Sequence, residues 1–137
     1  MSMTITFSET RDIEAAQVVV LYKVNRWSSV RKPQLLYQAL INSHYLVSAW
    51  DGKRLVAIGN AISDGHLVVY YPHLLVDPDY QGQGIGTELV KMLTKKYEGF
   101  HMQMLVADNE AISFYEKCGF VKAGNTQAMW IYEGNEH

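Results

Sequence analysis

The chain has 137 residues, of which 48% are apolar and 19% charged, so one ordinary domain with a real core is expected and disorder is not. The net charge is −2 with no block of Lys and Arg, which disfavours a basic nucleic-acid-binding surface. The single cysteine, Cys118, excludes a disulfide framework and a Cys-rich metal site. No apolar run approaches the roughly 20 residues of a membrane span, and "MSMTITFSETRD" is not built like a secretory signal. The expected setting is therefore the reducing cytoplasm.

"MTITF" (residues 3–7) alternates and is β-branched, which predicts a strand. Thr10 or Asp12 would cap a helix to about Val24, with Ile13, Ala16, Val20 and Val24 on one face. Pro33 suits the first turn of a second helix in which Leu36, Ala39 and Leu40 share a face. "YLVSAW" (45–50) and "RLVAIGNAI" (54–62) flank Asp51-Gly52, a hairpin signal. Asp64-Gly65 marks the next turn, before "HLVVYYPHLLV" (66–76). Pro72 lies inside that run and cannot donate to a ladder, so the strand must be an edge, bulged or splayed there.

"VDPDYQGQGIGTELVKML" (76–93) then leads into a helix from about Gly84 that keeps Ile85, Leu89, Met92 or Leu93, and Lys96 or Tyr97 on one side. "HMQMLVA" (101–107) reads as a strand. Asn109 would cap a short helix, "EAISFYEKC", that ends at Gly119 in the left-handed position with Phe120 packing after it. "QAMWIYE" (127–133) is the last expected strand. The order β-α-α-β-β-β-α-β-α-β describes a mixed α/β sheet, with an antiparallel meander feeding a parallel crossover.

Gly82, Gly84 and Gly86 sit between a strand and a helix, where glycine-rich turns can hold phosphates. Thr87 stands where a dinucleotide fingerprint needs its third glycine, and no Lys follows Gly86 as a triphosphate loop requires. Asp77, Asp79 and Glu88 flank the loop, so basic side chains do not provide the grip. A pyrophosphate held by backbone amides fits; a plain tight turn without ligand is the alternative.

"QGQGIG" (81–86) resembles the Q/R-x-x-G-x-G/A acetyl-CoA loop of the GNAT N-acetyltransferase superfamily, and "ADNEAISFYEKCGF" (107–120) resembles its second signature. The two stand in the family's order, and the likeness covers essentially the whole chain. "NSHYLVSA", "ISD" (62–64) and "LVDPDYQGQGIG" look closest to the serotonin N-acetyltransferase-like branch of plastids and cyanobacteria, whose members carry an Asp where this chain has His73. The resemblance implies one GNAT domain over residues 1–137. It implies a central, mostly antiparallel sheet with splayed middle strands, about four helices and the order β-α-α-β-β-β-α-β-α-β-β.

It further implies an acetyl-CoA-dependent N-acetyltransferase acting on a primary amine: a small arylalkyl or alkyl amine, or a Lys side chain. The alternative is a non-catalytic acyl-CoA sensor of the same fold. By the resemblance, the amides of Gln81, Gly82, Gln83, Gly84, Ile85, Gly86 and Thr87 bind the CoA pyrophosphate. The backbone of Leu74, Leu75 and Val76 pairs with the pantetheine arm, and an N–H near Leu75 stabilises the oxyanion. Asn109 and Phe114 border the CoA arm, with a helix cap and core packing as their plain roles. Tyr115 protonates the leaving thiolate.

The base that takes the amine's proton is His73, Asp64, Asp77 or water, although Asp64 and Asp77 also suit turn-forming roles. Trp27, Tyr37, Tyr70 and Tyr71 are candidate walls of the amine pocket, and would favour aromatic or apolar amines over polyamines. Cys118 reads as a packing residue, His44, His66 and His101 show no ligand spacing, and no metal is expected. Exposed edges of such sheets often pair, which allows a homodimer.

Overall fold

The computed structural model describes residues 4–134. Strand β1 (Ile5–Ser8) is followed by helices α1 (Ala15–Val24) and α2 (Pro33–Ile41), strands β2 (Tyr45–Asp51), β3 (Arg54–Ser63), β4 (Val68–Tyr70) and β5 (Leu74–Val76), helix α3 (Ile85–Lys96), strand β6 (Met102–Met104) and helix α4 (Asn109–Lys117). One open sheet runs β1-β2-β3-β4-β6, with β5 also on β3. All pairings are antiparallel except β4 with β6, which α3 connects as a parallel crossover. Met3, assigned to the first strand, lies outside the described residues.

β2 and β3 are nearly continuous apolar runs because both their faces are covered. One face packs Val47, Ala49 and Val56 against Ile85, Leu89 and Leu93 of α3. The other packs Leu46, Leu55 and Ile58 against Val18, Leu21 and Tyr22 of α1 and Leu36 and Leu40 of α2. Two turns form as the sequence expects. Gly52, at φ 59°, turns β2 into β3, and the Asp64 carboxylate accepts from the amides of His66, Leu67 and Val68.

Expectations for four segments need correction. α1 starts at Ala15 with Glu14 before it, not at Thr10 or Asp12; its buried face is Val18, Leu21 and Tyr22, whereas Ala16, Val20 and Val24 are exposed. The helix "AAQVVVLYKV" is apolar nearly all round, so periodicity alone does not select the face. Ala39 of α2 is exposed for the same reason. Asp108, not Asn109, is the residue preceding α4. Residues 127–133 form no strand: they are exposed, without a ladder neighbour among the described residues.

The stretch 66–76 breaks where Pro72 predicts. Ile62 of β3 pairs with Tyr70, and Gly59 pairs with Leu74, so two residues of β3 oppose three of the partner. That is a β-bulge. Tyr71 donates its N–H to the Met104 carbonyl of β6, while the His73 carbonyl accepts from Asn60 N–H on β3. Pro72 has no N–H to place. Beyond the bulge β5 stays on β3, β6 stays on β4, and a gap opens along the outer edge of β5.

Candidate active site

The gap opens into a cleft of about 640 Å³. Its walls include Trp27, Tyr70, Tyr71, His73, Leu74 and Tyr115. These residues come from the turn after α1, from the bulge and from α4, and the sheet break brings them together. Tyr37 is not among them; its hydroxyl donates to the Ile13 carbonyl at 2.6 Å, on the α1–α2 side. Tyr71 is largely a core residue, buried with its hydroxyl donating to Gln103 Oε1 at 2.6 Å.

Asn60 organises the bulge, and sequence reasoning missed it. Its Oδ1 accepts the His73 N–H at 3.1 Å and its Nδ2 donates to Ser43 Oγ at 2.9 Å. The side chain thus stands in for the ladder bond that the extra residue displaces. A polar residue inside the buried run "RLVAIGNAI" was the available signal, since a buried amide must find partners.

His73 is packed between aromatic rings. Its ring centroid lies 5.4 Å from Tyr22 and 4.8 Å from Trp27. The Tyr22 hydroxyl stands 2.7 Å from His73 Nδ1. Burial pushes the Tyr22 phenol far above its usual pKa and the imidazole down to about 4. A buried phenol must donate its hydrogen, and Nδ1 is the acceptor within reach. The ring is then neutral, with its hydrogen on Nε2. Trp27 is set by Arg26, which adopts a left-handed φ of 61° directly after α1, and by its own N–H donating to the Tyr22 carbonyl at 3.2 Å.

Tyr115 lines the opposite side of the cleft and packs edge-on to Phe120 at 5.8 Å. Gly119, at φ 100°, closes α4, and Phe120 N–H returns to the Tyr115 carbonyl, as the Gly-Phe ending predicts. Burial raises the Tyr115 phenol to about 12, so it is a protonated donor at neutral pH. Burial also raises the half-buried Cys118 thiol, which argues against a thiolate nucleophile.

Along β5 the direction of each amide follows from the ladder. Asp77 N–H bonds to the Val56 carbonyl, and the His73 carbonyl accepts from Asn60. The alternation of an antiparallel pair then turns Leu75 toward Ile58, and leaves Leu74 and Val76 facing the gap. The Leu75 N–H is thus spent on the ladder, and Leu74 lines the cleft. The Leu75 side chain lies buried on the α1–α2 side.

The glycine loop starts one turn beyond β5. Asp77 caps the Pro78–Tyr80 turn through Asp79 N–H and pairs with Arg54 at 2.9 Å. Gln81 Nε2 donates back to the Val76 carbonyl. Gly82 and Gly84 have φ of 79° and 82°, a region that favours glycine. Glu88 is the first α3 residue whose N–H reaches an i−4 carbonyl, that of Gly84. Among the described residues, the amides of 82–87 find no protein acceptor, which leaves an open nest at a helix N-terminus. Gly86 is needed for a different reason. A Cβ there would lie 3.3 Å from Phe114 Cζ, so the bare glycine lets α4 close on α3. Phe114 packs on that helix start, and Asn109 is exposed in the first turn of α4.

A family model described as acetyltransferase (GNAT) domain matches residues 9–130. The chain belongs to the GNAT acetyltransferase family. It is 31% identical over 136 residues to an uncharacterized ycf52-like N-acetyltransferase of Prochlorococcus marinus, covering 93% of this chain and 74% of that protein. A histone acetyltransferase, TAP1, of Glycine max is 28% identical over 130 residues, covering 85% of this chain and 55% of its own length. A solved GNAT family acetyltransferase from Streptococcus pneumoniae superposes with a TM-score of 0.81 at 28% identity, over 96% of this chain and all of that one.

GNAT acetyltransferases move an acetyl group from acetyl-CoA to an amine. The open nest and the outer edge of β5 suit that cosubstrate in this chain. Among the described residues, no helix is long and apolar enough to cross a membrane.

Proposed function

We propose that this GNAT acetyltransferase acetylates a small arylalkyl amine, and that Tyr115 is its acid. The observation that carries the substrate class is the cleft wall. Trp27, Tyr70 and the Tyr22-backed His73 form a largely aromatic surface. Among the described residues, the cleft has one carboxylate, Asp108, and one cation, Arg26, on its lining, so it lacks the acidic cluster a polyamine would need. Ser29 adds a buried Oγ with no hydrogen-bond partner among the described residues, an acceptor that an amine can satisfy.

Acetyl-CoA supplies a thioester carbonyl, and its exchange for an amide leaves a free thiol. The amides of 82–87 hold the pyrophosphate, and the outward backbone of Leu74 and Val76 holds the arm. Leu74 N–H polarises the carbonyl oxygen. Tyr115 donates to the leaving sulfur. At a pKa of about 12, it is a weaker acid than a thiol of about 8.5, so it surrenders the proton only as the acylated amine returns one.

Three sources of the base were open: His73, an aspartate, or water. Asp64 is occupied by three amides and Asp77 by Arg54. With Nδ1 taken by the Tyr22 hydroxyl and the hydrogen on Nε2, the neutral imidazole has no free lone pair for the amine's proton. The proton leaves through cleft water to bulk solvent, and His73 shapes the wall. The test is thiol release from acetyl-CoA over arylalkylamines, polyamines, amino acids and Lys peptides. Arylalkylamines should show the highest kcat/KM. A preference for Lys peptides or polyamines overturns the substrate class, and acetyl-CoA binding with no turnover on any amine favours the sensor reading.

A further inference from the structure

The entry to the glycine loop poses an electrostatic problem. Residues 76–90 hold Asp77, Asp79 and Glu88 and no Lys or Arg, whereas the open amides of 82–87 suit an anion. Carboxylates beside that nest oppose a pyrophosphate unless a cation offsets them. The cation comes from another element. Arg54, the first residue of β3, donates from Nη2 to Asp77 Oδ2 at 2.9 Å. Its guanidinium also lies 5.2 Å from the centre of the Tyr80 ring.

The same contact fixes the turn from which the loop departs. Asp77 is 5% exposed and divides its carboxylate between two partners. Oδ2 faces Arg54, and Oδ1 accepts the Asp79 N–H at 2.9 Å. The Asp77 N–H bonds to the Val56 carbonyl of β3 at 2.8 Å. Tyr80 is buried and held from two sides, by the guanidinium on its face and by Asp51 Oδ2, which accepts its hydroxyl at 2.6 Å. Asp51 and Arg54 are the paired residues that close the β2–β3 hairpin. Gln17 of α1 anchors that hairpin in turn, donating to the Lys53 carbonyl at 2.9 Å and accepting from the Leu55 N–H at 2.8 Å. The Pro78–Tyr80 turn is thus clamped to the sheet, and Gln81 follows it directly.

We propose that Arg54 is a positioning residue for acetyl-CoA. It balances the Asp77 charge and holds the Pro78–Tyr80 turn, so that the amides of 82–87 stand ready for the pyrophosphate. The inference rests on the reading that those amides hold the pyrophosphate. Arg54 acts through Asp77 and Tyr80. Its side chain is 55% exposed, so its replacement leaves the core intact.

Calorimetry with acetyl-CoA tests this. Arg54→Ala should weaken binding about tenfold, as expected when a buried carboxylate loses a charged hydrogen bond. The kcat at saturating acetyl-CoA and the amine KM should not change. Arg54→Lys, which keeps the charge, should recover most of the loss. Arg54→Ala/Asp77→Asn should bind better than Arg54→Ala, because Asn keeps an acceptor for the Asp79 N–H and removes the unbalanced charge. Unchanged affinity in Arg54→Ala, an equal fall in kcat, or a double variant no better than the single one overturns the proposal. Gly84→Ala, run alongside, separates the two readings. If it weakens binding and Arg54→Ala does not, only the positioning role falls; if neither does, the loop assignment falls and takes this role with it.

Discussion

The glycine loop and the aromatic wall stand beyond the two ends of β5 and are built on opposite principles. The loop is exposed, local in sequence and made of backbone: six amides within 82–87, two left-handed glycines and one helix start. The wall is largely half-buried, assembled from three separate segments and made of side chains: Tyr22 and Trp27 from α1 and its turn, His73 from the bulge, and Tyr115 from α4. A backbone device tolerates most changes except at its glycines. A packed aromatic device transmits each change to its neighbours, because interiors are close-packed.

Four experiments break or sharpen that contrast. The largest expected effect belongs to Tyr115→Phe, which should lower kcat by about 10²–10⁴-fold and leave acetyl-CoA affinity unchanged; a loss of affinity instead would place Tyr115 in cosubstrate binding.

Next comes the protonation of His73. Its folded pKa of about 4 lies below the ordinary 6.5, so the unfolded chain binds the extra proton between those values. Stability is complete above pH 6.5 and falls as pH drops toward 4, by up to about 3 kcal/mol. Urea midpoints at pH 7.5 and 4.5 should show this slope, and His73→Gln should flatten it. The kcat/KM profile should rise toward the amine pKa with no inflection near 6.5; such an inflection, lost in His73→Gln, would restore His73 as base.

Asn60→Ala leaves the His73 N–H and Ser43 without their partner, and should cost about 1–3 kcal/mol of stability. It should also lower kcat more than it raises KM for acetyl-CoA, since the bulge shapes the wall and not the loop. Equal effects on both would show that the two ends are coupled through β5.

The smallest effect, about 1–2 kcal/mol, is expected for Gly84→Ala, which forces a Cβ into a left-handed backbone. It should appear as weaker acetyl-CoA binding by calorimetry with the amine KM unaltered. Gly86→Ala differs in cause: it presses on Phe114, so Phe114→Leu should relieve it but should not rescue Gly84→Ala.

Much of this was legible in the residues. Asp51-Gly52, Asp64-Gly65 and Gly119-Phe120 act within a few residues of themselves, and their turns form as read. Pro72 announced the broken ladder because a missing N–H needs no tertiary context. The face of α1 was not legible, since a helix apolar nearly all round offers several stripes, and only the packing against Leu46, Ile58 and Leu75 selects one. Nor was the partnership of Tyr22 with His73, separated by 51 residues. The strand read into 127–133 has the right pattern but no neighbour among the described residues, because alternation describes a strand's two faces and says nothing of the edge it joins.

By itself, the sequence determined most of the elements, the turns and the glycine loop at the start of α3. Each depends on local backbone preference or on spacing along a single segment. The tertiary structure alone decided which amides of β5 face the gap, that His73 is neutral and packed among aromatic rings, and which rings meet across the cleft. Those properties arise from ladder register and from desolvation by residues far away in the chain.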